Sequence, residues 1–294
     1  MNLTGSALAF ASAALAGYPS VGRILGEGRM TAADDNWTAG DAYESYMGRW
    51  SRPLARTFVS WLGAPPEAHW LDVGCGTGAL TRAICELAEP ASVVACDPSE
   101  SFVVHARKAL RDGRVSFVVA SAEALPGGPG TFDCVASGLV LNFVADPARA
   151  IRLMRDRLRP RGMVAAYVWD YGNGIEFLRC FWGEAVALDS TAADLDEGRR
   201  FLLCQPEALD SLFVGAGLRH VATDTLEIPT RFQDFQDFWT PFLRGTGPAP
   251  SYAASLSQAR RDLLRDRLAS QLKVEADGRI RLKARAWAVR GLSE

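Results

Sequence analysis

Apolar positions along the chain change period repeatedly, and the changes predict strands alternating with helices. Residues 37–64 form an amphipathic helical stretch in which Leu54, Phe58 and Leu62 fall four apart, the spacing of a helix packed on a sheet. An apolar entry, His69-Trp70-Leu71, leads through a glycine-rich turn into Ala79–Ile84, spaced like a buried helix face. Ser92–Asp97, Val115–Ala120 and Phe132–Ser137 read as short apolar strands, with a helical segment from Ser99 to Arg111 between the first two. Asp146-Pro147 starts a helix to Leu158, and Leu158-Arg159-Pro160-Arg161-Gly162 turns into a strand from Met163 to Trp169.

The second half is helical at first. Residues 174–216 place Phe177, Leu178, Phe181, Trp182 and Leu188 on one side, and Pro206 begins a separate helix that ends at Gly215-Ala216-Gly217. Leu218–Phe232 reads as a long sixth strand. Asp277-Gly278 introduces the last, Arg279–Val289, with Ile280, Leu282, Ala284, Ala286 and Ala288 alternating. The segment between these strands, 233–273, holds Phe235, Phe238, Trp239 and Phe242, a Gly/Pro loop and a charged helix.

At 294 residues with 48% hydrophobic and 22% charged content, the chain has the composition of a soluble globular protein with a substantial core. A formal charge of −2 offers no electrostatic case for nucleic acid or an anionic membrane. Arg260, Arg261, Arg265 and Arg267 do cluster, but Asp262 and Asp266 interleave with them, as on a solvated helix face. The six cysteines contain no C-x-x-C pair and no partnering histidines, so no metal site is expected and a reducing, cytoplasmic setting is. Leu8–Ala16 is apolar but lacks a preceding basic residue and is too short to span a bilayer. Residues 1–36 therefore read as a poorly ordered extension, or as the product of a start upstream of a natural one at Met30. Nothing here specifies an oligomeric state.

Asp72-Val73-Gly74-Cys75-Gly76-Thr77-Gly78 lies between the first strand and the first buried helix, which makes it a nucleotide-binding corner. The glycines let the main chain turn and approach a ligand closely. Asp72 discriminates between ligands. A carboxylate beside the loop opposes a diphosphate but attracts an ammonium, such as the methionine end of S-adenosylmethionine. The glycine spacing is G-x-G-x-G, which also separates it from the dinucleotide G-x-G-x-x-G. Asp97, ending the second strand, suits two ribose hydroxyls or, alternatively, caps the next helix.

The Asp72–Gly78 string resembles the first motif of class I S-adenosylmethionine-dependent methyltransferases, in the type 11, ubiquinone-biosynthesis-like small-molecule subgroup. The matching elements extend over roughly residues 70–170. The resemblance implies an α/β, Rossmann-like fold: a seven-stranded, mostly parallel sheet, helices on both faces, and an antiparallel last strand. It also implies S-adenosylmethionine as cofactor, with Asp72, Gly74, Cys75, Gly76, Gly78, Asp97 and Pro98 around it and Ala122 and Glu123 beside the adenine. In related small-molecule enzymes a segment like Tyr46-Met47-Gly48-Arg49-Trp50-Ser51-Arg52 lies near the cofactor. Tyr46 and Arg49 are accordingly candidate cofactor contacts on a lid helix over 37–64, or else plain packing residues. The domain is expected to span 37–294, with 233–273 as a helical cap that selects the substrate.

Methyl transfer from a sulfonium is an in-line displacement that needs mainly positioning and exclusion of water. For that reason the acceptor side is less legible. Trp169-Asp170-Tyr171 closes the fifth strand, and ligands of open parallel sheets bind outside strand carboxyl ends. Asp170 is the candidate base or a turn residue, Trp169, Tyr171 and Trp239 are candidate substrate contacts, and Asn142 either lines the site or caps a turn. No Asn/Asp-Pro-Pro-Tyr follows the fourth strand, which argues against methylation of nucleic-acid bases. The expected acceptor is a small molecule. A nicotinamide-dependent oxidoreductase and a catalytically silent cofactor-binding partner are the competing readings.

Overall fold

A computed structural model describes residues 44–244 and 247–294. The extension over 1–36, the start of the helical stretch with Tyr43, and Gly245-Thr246 lie outside the described residues.

The amphipathic stretch becomes a π turn, Glu44–Gly48, running into helix α1, Arg49–Leu62, which ends on left-handed Gly63. Its buried stripe is Trp50, Leu54, Phe58 and Leu62. Strand β1 (His69–Val73) leads to α2 (Ala79–Leu87), β2 (Ser92–Asp97), α3 (Glu100–Ala109) and β3 (Val115–Val119). After β4 (Phe132–Gly138) come a 3-10 turn (Leu141–Phe143), α4 (Pro147–Arg155) and β5 (Leu158–Trp169). Helices α5 (Glu176–Leu188), α6 (Glu197–Arg200) and α7 (Pro206–Gly215) precede β6 (Arg219–Phe232). The segment before β7 (Ile280–Leu292) holds α8 (Phe235–Trp239), a 3-10 turn (Thr240–Arg244), α9 (Pro248–Ser255) and α10 (Gln258–Gln271). On α10, Arg265 pairs with Asp262 and Asp266, as expected of a solvated face.

The strands form one seven-stranded sheet in the order β3-β2-β1-β4-β5-β7-β6. Pairing is parallel from β3 through to β5, and β7 runs antiparallel to both β5 and β6, so only the last strand is reversed. Met163–Trp169 is buried at every position, as a central strand covered on both faces must be. From β1 the chain moves outward to β2 and β3, then returns across β1 to lay down β4. The two strands that diverge, β1 and β4, bracket a crevice at their carboxyl ends, where open α/β sheets bind ligands.

Some boundaries differ from expectation. Leu158–Gly162 is a bulge inside β5, with the register jumping between Phe132/Leu158 and Cys134/Met163. Arg161 adopts φ 63°, and a side chain at Gly162 would meet the carbonyls of Arg159 and Asp133 at 2.9 and 3.0 Å. Helix α4 consequently stops at Arg155, before the expected Leu158. Helix α3 is shorter than 99–111 because Ser99 caps it and Leu110 is already extended. The last strand continues past Val289 to Leu292, following β5 down to Met163.

Candidate cofactor and acceptor site

Strand alternation carries Asp72 into the interior beside the crevice, where it is fully buried. Thr81, one turn into α2, donates to its Oδ2 at 2.6 Å, while Oδ1 has no partner. Burial pushes the Asp72 carboxyl up to about 7, and the Asp97 charge adds to this against the Thr81 hydrogen bond. An orphaned oxygen on a buried acid is costly unless something fills the gap, and a cation does so best.

The loop after β1 is built on positive φ at Gly74 (74°), Gly76 (52°) and Gly78 (91°). At Gly74 the reason is also steric, because a Cβ there would sit 2.5 Å from Val140 Cγ2. The amides of Gly74 and Cys75 both donate to the Cys96 carbonyl, which ties the loop to β2. Gly78 heads α2 without a side-chain cap, leaving the helix amides directed at the crevice. Cys75 is buried beside Asp72 and Asp97, and its thiol is held far above its ordinary range, chiefly by burial. Its side chain packs, uncharged, with Ala95, Val103, Ala106 and Phe117.

Asp97 ends β2 with its carboxylate turned back on the loop: Oδ2 accepts from the Gly76 amide at 3.0 Å and Oδ1 from the Ser99 amide at 2.8 Å. Helix capping falls to Ser99, whose Oγ accepts from the Phe102 amide. Asp97 therefore sits oriented at the mouth, and each oxygen keeps a lone pair for a hydroxyl. Pro98 turns the chain between them. Ala122 and Glu123 occupy the turn after β3, half-buried and exposed respectively, where the Glu123 amide donates to Ser121 Oγ. The Ala120 amide donates to the Asp97 carbonyl, bringing this turn beside the β2 end.

On the β4 side, the Ser137 hydroxyl donates to the Val73 carbonyl and closes the seam with β1. Gly138 has no room for a side chain, since the Tyr167 ring lies 2.6–2.8 Å from where its Cβ would be. Asn142 is 5% exposed with its Nδ2 unpartnered, a second orphaned polar atom beside this crevice.

The other acceptor-side candidates separate. Asp170 is buried and committed: Oδ2 accepts from Arg285 at 2.5 and 2.9 Å, and Oδ1 from the Asn173 amide at 3.1 Å. It ties the end of β5 to β7. Trp169 is buried in the sheet opposite Ala286, and Trp239 packs on Phe242. Tyr171 is buried against Phe201, whose ring also meets Phe143 after β4. Arg49 forms a two-pronged ion pair with Asp237 of α8, donates to the Arg231 carbonyl and stacks on Trp50. Tyr46 stands edge-on to Phe177 and Phe242 with its hydroxyl buried and unpartnered.

Two residues escaped sequence reasoning. Thr81 is an ordinary helix residue until the fold faces it with Asp72. Glu197 sits in Asp194-Leu195-Asp196-Glu197, which reads as a solvated acidic turn, yet it is 2% exposed and accepts from Trp182 Nε1 at 2.5 Å.

Comparison with known proteins supplies the family. Residues 71–166 match the model of a family described as a methyltransferase domain. These residues form a class I S-adenosylmethionine-dependent methyltransferase domain. Over 97 residues the chain is 40% identical to the ubiquinone/menaquinone biosynthesis C-methyltransferase UbiE of Escherichia coli, covering 31% of this chain and 39% of that protein. The chain thus spans about two fifths of the length of the curated relatives it matches. Among solved structures, phosphoethanolamine N-methyltransferase 2 of Haemonchus contortus, in complex with phosphomonomethylethanolamine and S-adenosylhomocysteine, aligns with a TM-score of 0.52 at 20% identity, over 87% of this chain and 57% of that one. The YcgJ protein of Bacillus subtilis aligns with a TM-score of 0.51 at 15% identity, over 82% and 98%. At those identities the likeness establishes the fold. The match ends before α5, so α5–α10, with Glu197 and the segment before β7, lie outside the family model.

Proposed function

We propose that the protein transfers the methyl group of S-adenosylmethionine to a small-molecule acceptor by in-line displacement. The observation that carries this reading is the unpaired Oδ1 of Asp72, a fully buried acid near the carboxyl end of β1, the strand that neighbours β4. The cofactor's ammonium fits that position, and a pyrophosphate beside it would be repelled. Asp97 would take the ribose hydroxyls, the amides of the α2 N-terminus the methionine carboxylate, and Ala122 with Glu123 the adenine. When bound, the cofactor supplies an electrophilic methyl. The chain's own residues hold the acceptor in line with it and keep water out, which is the larger part of such catalysis.

A small acceptor agrees with the net charge of −2 and with aromatic packing among Tyr46, Phe177 and Phe242. A cytoplasmic setting agrees with six free cysteines. Calorimetric titration with S-adenosylhomocysteine, with NAD as control, tests the reading. Micromolar binding of the former alone is expected, and binding of NAD alone would overturn it.

A further inference from the structure

A buried hydroxyl without a partner and a buried acid without an ion pair lie near the carboxyl ends of β4 and β5. Tyr46 is 3% exposed, and its hydroxyl makes no hydrogen bond. Glu197 is 2% exposed, and among the described residues Trp182 supplies its only side-chain donor. The nearby guanidinium does not serve as its counter-ion, because Arg179 places Nη1 and Nη2 on Asp196 at 2.8 and 2.5 Å. An unpaired phenol and an acid that makes no ion pair among the described residues, both buried, cost folding free energy that packing alone gives no reason to accept.

Their location is where an acceptor belongs. Helix α6 rests on the chain leaving β5, since a side chain at Gly198 would strike the Tyr171 carbonyl at 2.7 Å and Gly172 Cα at 3.1 Å. Phe201 then bridges Tyr171 after β5 and Phe143 after β4. One run of rings joins Tyr46 to Glu197: Tyr46 stands edge-on to Phe242, Phe242 stacks on Phe181 at 4.5 Å, and Phe181 meets Trp182, whose Nε1 donates to the Glu197 carboxylate. The Glu197 charge accordingly adds to burial in raising the Tyr46 phenol.

We propose that Tyr46 and Glu197 form the acceptor site, holding the hydroxyl of an aromatic substrate between the tyrosine Oη and the glutamate carboxylate, which receives the substrate's proton. This rests on the methyltransferase reading above. The acceptor oxygen's lone pair forms the new O–CH3 bond, and the C–S bonding pair passes to sulfur, leaving a neutral thioether. The O–H proton goes to Glu197, which afterwards returns it to solvent. A hydroxyl suits the pair better than an ammonium because it donates to the Glu197 carboxylate and accepts from the Tyr46 Oη, whereas an ammonium has no lone pair and would leave the tyrosine proton unpaired. Burial places the Glu197 carboxyl at about 7, a value suited to exchanging a proton near neutrality. The charged groups that face it are Asp196 and Arg179, paired to each other, and Tyr46 on the opposite wall.

The test is calorimetric titration of p-cresol, with benzylamine as comparison, into the full chain saturated with S-adenosylhomocysteine. The wild type should bind p-cresol. Glu197→Gln, which keeps an oxygen for Trp182, and Tyr46→Phe should each weaken that binding at least tenfold, with S-adenosylhomocysteine affinity within twofold of wild type. Glu197→Asp should recover part of the loss. Affinity for p-cresol should fall as pH drops through about 7 in the wild type and stay flat in Glu197→Gln. Wild-type protein that binds S-adenosylhomocysteine but not p-cresol would overturn the site, as would undiminished binding in Glu197→Gln. Tighter binding of benzylamine would overturn the hydroxyl assignment. Failure to bind S-adenosylhomocysteine at all would remove the methyltransferase reading beneath it.

Discussion

The Thr81 hydroxyl holds one oxygen of the Asp72 carboxylate at 2.6 Å and leaves the other buried and unpaired. Thr81 orients the acid, and under the proposed function the free oxygen meets the cofactor's ammonium. Asp72→Asn should therefore lower S-adenosylhomocysteine affinity by roughly ten- to a hundredfold, the range for losing a charged hydrogen bond of about 1.5–3 kcal/mol. The fold should persist, because an amide is easier to bury than a carboxylate. Thr81→Val should weaken binding in the same direction but less. Calorimetry alongside thermal melts separates the two effects, and unchanged affinity in Asp72→Asn would sink the ammonium argument.

Cofactor binding should depend on pH with a definite sign. Burial raises Asp72 from its ordinary 3.8 to about 7, so between about 4 and 7 the folded chain keeps a proton that the unfolded chain releases. Through this window the group's contribution to stability falls as pH rises. Binding an ammonium requires the carboxylate, so affinity should rise from pH 6 to pH 8, by at most about tenfold per pH unit below 7. Asp97, itself raised chiefly by burial, adds its charge to the rise at Asp72. Titrations at pH 6 in buffers of different ionisation enthalpy should detect a released proton that is absent at pH 8 and lost in Asp72→Asn.

The Asp170–Arg285 pair should behave as a fastener. Asp170 is buried while Arg285 is about a third exposed, so Arg285→Ala should cost about 2 kcal/mol, below the ~3–5 of a fully buried pair. Urea denaturation should report that loss with S-adenosylhomocysteine affinity retained. A variant of normal stability that no longer bound acceptor would return Asp170 to the chemistry.

Arg49 should couple the first helix to the segment before β7. Its pair with Asp237 is partly exposed and its stack on Trp50 is short, so Arg49→Ala should cost about 1 kcal/mol in all. A double-mutant cycle with Asp237→Asn should show that most of this is shared. A drop in cofactor affinity larger than threefold, with stability unchanged, would show that Arg49 contacts the cofactor.

Gly74→Ala should damage the loop more than an average glycine substitution. The new methyl would meet Val140 at 2.5 Å on a backbone held at φ 74°. Loss of S-adenosylhomocysteine binding is expected, and Val140→Ala in the same chain should recover only part of it because the backbone strain remains.

Much of this was legible in the residues because its causes are local. The Asp72–Gly78 turn, the short apolar strands and the carboxylate at Asp97 depend on spacing and on backbone freedom at particular glycines, which a linear pattern displays. The β5 bulge was not legible, since a bulge arises from how two strands share hydrogen bonds and Leu158–Gly162 alone resembles a turn. Asp170 and Glu197 show the same limit on the acceptor side. Both are acids in polar-looking segments, and only the partner that reaches each one across the fold, Arg285 or Trp182, distinguishes a fastener from an acid with no counter-ion.

By itself, the sequence determined the order of strands and helices, the glycine turn and the acid beside it, because each follows from periodicity, backbone freedom or residue type within a few positions. Tertiary structure alone decided which acids are spent and which are left open. Packing brings residues as far apart as Asp170 and Arg285 into one ion pair, and burial then fixes the energetic meaning of every polar atom that finds no such partner.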